Sequence, residues 1–137
     1  MLSDGGRRSA VERELRSVLI VEDDAGIREA LAECVATLGL EVATARDGRD
    51  GLDQLHAGMR PGAVLLGASM PHLDGHRFLE AVRSDADLAE MAVVDMFTSR
   101  DRPALPVNAF LEKPFDLDEL ARVLRRLGAQ KSTDPMV

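Results

Sequence analysis

The chain has 137 residues, 45% of them hydrophobic and 30% charged, with one cysteine. That is one ordinary globular domain's worth of core, and a lone cysteine excludes a disulfide scaffold. Formal net charge is -7 at pH 7, and the basic residues are fifteen arginines with Lys113 and Lys131, which form no stripe able to neutralise a run of phosphates. Nucleic acid is therefore not expected as a partner.

Residues 1–16 carry Gly5, Gly6 and alternating charge without an apolar face, so they read as a flexible leader. Arg7 and Arg8 precede SAVERELRS, which is charged where an export signal needs an apolar stretch. No membrane contact and a cytoplasmic location are expected. A single folded unit then spans residues 17–128, with 129–137 as a flexible tail.

SVLIV, from Ser17, is a continuous apolar run stopped by EDD, as a strand buried on both faces should be. From Ala25 to Leu38 the apolar positions Ile27, Leu31, Cys34, Val35 and Leu38 recur at helical spacing. Asp24 is placed to cap that helix and Gly39 to end it. Cys34 on this face reads as a small buried hydrophobe. A second strand follows at EVATA. Asp47 then caps a helix carrying Leu52 and Leu55, and Pro61 and Gly62 lead into a third strand, AVLL.

Asp74 is placed to cap a third helix through Phe78, Leu79 and Val82; MAVVDMF makes a fourth strand and NAFLE a fifth. The run DLDELARVLRRLG opens with Asp116 and Glu119 at capping-box spacing and sets Leu117, Leu120, Val123, Leu124 and Leu127 on one face. Strands and helices alternating at these lengths specify an α/β fold, a parallel sheet with helices on both faces. In such sheets the working site lies beyond the carboxyl ends of the strands, where strand order reverses. Glu22, Asp23, Gly67, Thr98 and Lys113 converge there.

Consecutive carboxylates at a strand end repel one another. Glu22, Asp23 and Asp24 therefore read either as ligands of a hard divalent cation or as a solvated turn with a helix cap. Three segments, VLIVEDDAGIREAL, MPHLDGHRFLEAVR and FLEKPFDLDEL, resemble those of the receiver domains of two-component response regulators, in that family's order and near its spacing. The resemblance covers Ser17 to about Leu127.

It implies a flavodoxin-like (βα)5 fold, a doubly wound parallel five-stranded sheet of strand order 2-1-3-4-5. It also implies Glu22 and Asp23 as the acidic pocket that helps hold Mg²⁺, Lys113 as the lysine that contacts the phosphoryl group, with a cis peptide to Pro114, and Phe110 as the aromatic switch residue. The switch hydroxyl falls on Phe97 by gap-free counting from Gly67, or on Thr98 after a shift of one residue. The segment SRDRPALPVNA between Thr98 and Phe110 is short and carries Pro103 and Pro106, so the family's fourth helix is expected to be shortened or lost. Asp95 in the fourth strand is expected to be exposed there, or paired with Arg100 or Arg102.

The phosphoacceptor position, counted back from Met70, Pro71, Asp74 and Gly75, is occupied by Gly67. Glycine has no nucleophile, so phosphoryl transfer at this position is excluded. The expectation is a degenerate pseudo-receiver that is not an enzyme and acts through protein partners; Phe97, Ala104, Leu105, Pro106 and Val107 read either as an apolar patch for such a partner or as cover for the core left open by the missing helix. No cofactor is expected; Mg²⁺ would bind weakly, through Asp23 if at all, and Gly67→Asp should strengthen that binding. Two other readings stand beside this one. The acceptor could be displaced to Asp74 or Asp24, although Asp74 is better explained as a helix cap. A small-ligand or flavin-binding flavodoxin-like domain shares the architecture, but EDDAG sets carboxylates where a phosphate would sit. His56, His72 and His76 read as surface residues, and no sequence feature speaks to self-association.

Overall fold

A computed structural model describes residues 16–67, 72–98 and 107–132. The expected leader, the short segment after Thr98 and the end of the expected tail lie largely outside the described residues. The elements are β1 (Ser17–Val21), α1 (Ala25–Thr37), β2 (Glu41–Ala45), α2 (Gly48–His56), β3 (Ala63–Leu66), α3 (His72–Ser84), β4 (Val93–Thr98), β5 (Ala109–Lys113) and α4 (Leu117–Ser132). The strands form one sheet in the order β2-β1-β3-β4-β5, with every pairing parallel.

Alternation along the central strands divides the core into two layers. Val18 and Ile20 of β1, Leu65 of β3 and Val94 and Met96 of β4 pack with Leu31 and Val35 of α1 and with Leu120, Leu124 and Leu127 of α4. Their neighbours Leu19, Val21, Val64, Leu66 and Val93 pack on the opposite face with Leu55 of α2 and Phe78, Leu79 and Val82 of α3. A strand buried on both faces needs no polar alternation, which is why the apolar runs were legible as strands.

The helix starts follow the capping signals in most cases. Asp24 accepts the Ile27 N–H at 2.9 Å and Asp47 the Asp50 N–H at 2.8 Å. Asp116 and Glu119 make the reciprocal bonds of a capping box, at 2.8 and 3.1 Å. Gly39 ends α1 at φ 84, a conformation that side chains rarely adopt.

One expectation is corrected. Asp74 lies inside the first turn of α3 rather than before it, and its Oδ2 accepts the Gly48 N–H at 3.3 Å, at the start of α2. Helix α4 runs past the buried Gly128 to Ser132.

Candidate functional site

Strand order reverses between β2 and β3, on either side of β1, so the crevice at the topological switch point opens beyond the carboxyl ends of β1 and β3. Val21 pairs with Leu66 in register, which makes Glu22 and Gly67 the facing residues just past the strands. Both prolong the ladder: the Gly67 N–H donates to Val21 O at 2.7 Å and the Glu22 N–H to Ala45 O at 3.0 Å.

The three carboxylates after β1 go three ways. Asp24 caps α1. Asp23 is exposed. Glu22 is fully buried, at 0% exposure, and its carboxylate lies against Gly67. A carboxyl group withdrawn this far from water must find its hydrogen bonds inside the protein. Glu22 Oε2 accepts the Asp24 N–H at 2.9 Å, and its carbonyl oxygen accepts a bond of 2.9 Å from Arg28 Nη1. The turn is thus tied to itself and to the first turns of α1.

Phe97, Thr98, Phe110 and Lys113 belong to the neighbouring strands. In register Phe97 faces Glu112 and Thr98 faces Lys113, so both switch candidates and the lysine stand at the same carboxyl edge as Gly67. Phe110 is half-buried and faces Asp95. It also lines an open groove of about 390 Å³ with Glu112, Pro114, Glu119, Arg122 and Arg126, none of which belongs to the β1–β3 crevice.

Asp95 is 5% exposed, which corrects the expectation of exposure: it is flanked in register by Leu66 and Phe110. Arg100 and Arg102, like most of the expected apolar patch, lie outside the described residues, while Val107 is half-buried against the α2 and α3 layer.

Sequence reasoning missed one polar joint. Arg83, at the end of α3, donates through Nη1 to Ala89 O at 2.9 Å and Met91 O at 2.7 Å, and through Nη2 to Asn108 Oδ1 at 2.9 Å. Asn108 Oδ1 also accepts the Val93 N–H, at 2.8 Å, and the Asn108 N–H donates to Val93 O at 2.9 Å. Burial lowers the Arg83 pKa from its ordinary value, against an opposing pull from Glu90. A lone asparagine before an apolar strand was the only available signal.

The donor set does not fit a resident Mg²⁺. A hard divalent ion gathers about six oxygens, whereas β3 ends here without a side-chain oxygen and the Glu22 carboxylate is folded inward. Among the described residues no group of three His, Cys, Asp or Glu side chains could hold a metal ion. Among them, too, no helix is long and apolar enough to cross a membrane.

Comparison with known proteins gives a consistent answer. The family model described as "Response regulator receiver domain" matches residues 18–125. The chain is 36% identical over 121 residues to the response regulator MprA of Mycolicibacterium vanbaalenii, a match covering 85% of this chain and 52% of the relative. It spans about half the length of the curated relatives it matches. Among solved structures, the chemotaxis response regulator CheY4 of Vibrio cholerae superposes with a TM-score of 0.70 at 28% identity, covering 81% of this chain and 97% of that one. The response regulator TrrA of Thermotoga maritima, solved in complex with Mg²⁺-BeF, superposes with a TM-score of 0.72 at 26% identity, covering 82% and 98%. With its five parallel strands in this order and the family model matched along nearly the whole folded unit, the chain belongs to the response regulator receiver domain family.

Proposed function

We propose that this chain is a pseudo-receiver, a signalling module whose conformation is not set by aspartyl phosphorylation at the end of β3 and which acts by binding protein partners. The observation that carries this is Gly67, which follows β3 with no side chain and has the buried Glu22 carboxylate against it. Aspartyl phosphorylation needs a carboxylate oxygen in line with the phosphorus and a cation to offset the charge that develops; here the oxygen is missing and the cation's donor set is incomplete. The net charge of -7 supports protein rather than nucleic-acid partners for this chain, and nothing in this reading requires catalysis.

The test is incubation with a small-molecule phosphodonor and Mg²⁺ followed by intact-mass measurement. The mass should not change, and addition of a phosphoryl group would overturn the proposal. Repeating the measurement on Asp74→Asn would then locate a displaced acceptor. Asp74 is a poor candidate, because its carboxylate accepts the Gly48 N–H.

A further inference from the structure

We infer that Glu22 is an internal plug: its carboxylate occupies the room left by the missing side chain of Gly67 and thereby closes the crevice to a divalent cation. The inference rests on reading Gly67 as the vacated acceptor position. A Cβ built on Gly67 overlaps Glu22 Oε1 and lies 2.7 Å from Glu22 Cδ and 2.9 Å from Val21 O, closer than real Cβ atoms approach such neighbours. The backbone does not require glycine here, since among the described residues the glycines with positive φ are Gly39 and Gly58. The requirement is spatial, and Glu22 imposes most of it.

The carboxyl group is the far end of a flexible side chain, so it can be displaced. Displacement breaks its bond from the Asp24 N–H and sends the group out of a fully buried position toward Asp23, which is already exposed. A single methyl group at position 67 therefore acts in two ways: it strains the crevice, and it releases a second carboxylate to stand beside Asp23. This reverses the emphasis of the sequence-based expectation. A metal response is to be gained by ejecting Glu22, even when position 67 gains no oxygen.

The experiment uses the full chain with Gly67→Ala, Glu22→Ala and the double substitution. Gly67→Ala should lower Tm by roughly 5–10 °C, the ordinary consequence of overpacking in a chain of this size. In the Glu22→Ala background the same change should cost less than half as much, because the overlap with the carboxyl group is then gone and the close contact with the backbone Val21 O, at 2.9 Å, is what remains. Equal losses in both backgrounds would overturn the plug.

Amide spectra supply the second readout. Gly67→Ala should shift the Asp24 amide signal and remove its protection from exchange, and Mg²⁺ titration should then give a saturable response at Asp23 in the millimolar range, absent from the native chain. An unchanged Asp24 amide, or a native chain that already responds equally to Mg²⁺, would refute the inference. Should Gly67→Ala fail to fold, recovery of folding in the double substitution supports it and persistent unfolding counts against it. The phosphodonor measurement on the native chain is independent of all these outcomes, so failure of the plug and failure of the pseudo-receiver reading are told apart.

Discussion

Gly51 shows how a single residue's size is set by its neighbours. In an open helix, alanine is favoured over glycine by about 1 kcal/mol, yet a Cβ at Gly51 would meet Val21 Cγ2 at 3.0 Å and Phe78 Cε1 at 3.1 Å. Both neighbours are buried in the α2 and α3 layer and neither can leave. Gly51→Ala should therefore destabilise the fold by about 1–2 kcal/mol despite its helix propensity, read as a lower denaturant midpoint with an unchanged slope. A higher midpoint would mean that this layer has slack. Arg83 poses the complementary case, a charge kept for its geometry. Its two terminal nitrogens bond three acceptors on two separate segments, a fork that a lysine ammonium cannot reproduce. Arg83→Ala should cost about 1–2 kcal/mol, and Arg83→Lys should recover less than half of that loss in the same unfolding measurement.

Among the elements, the helix starts differ in where their caps come from. Asp24 belongs to the turn that it caps, whereas Asp74 belongs to α3 and serves the first residue of α2. The two substitutions should therefore leave different traces. Asp24→Ala should cost about 1 kcal/mol and expose the Ile27 amide to exchange. Asp74→Ala should cost about 0.5–1 kcal/mol and expose the Gly48 amide while leaving the first turn of α3 as protected as before. Loss of protection in α3 instead would return Asp74 to the role that its sequence position suggests. The ambiguity is physical: a DG pair before an apolar run satisfies the capping pattern, and only the packing of α2 on α3 decides which helix receives the carboxylate.

For the molecule as a whole, legibility followed how locally each feature is determined. Strands β1 and β3 match their apolar runs residue for residue, because burial on both faces leaves a continuous signal; β2, at the sheet edge, matches EVATA although only Ala45 in it is buried. The starts of β4 and β5 were displaced, since Asn108 and Val93 exchange bonds that no local pattern announces. That Glu22, Asp23, Gly67 and Lys113 stand at the carboxyl ends of their strands was readable from the alternation of strands and helices. The inward turn of Glu22 was not, because it depends on room created by a residue on another strand. The two-layer core carries the last prediction. Val35 and Val82 are both 0% exposed and lie on opposite faces of the sheet, sharing no neighbour in the core. Val35→Ala and Val82→Ala should each cost about 1–3 kcal/mol, and their effects should sum to within about 0.5 kcal/mol in the double substitution. Unfolding should still occur as one transition, because β1, β3 and β4 give alternate residues to both layers and neither layer can open alone. With no tryptophan or tyrosine in the chain, far-ultraviolet circular dichroism and calorimetry are the suitable probes. A second transition in either single variant would show that the two faces of the sheet are stabilised separately.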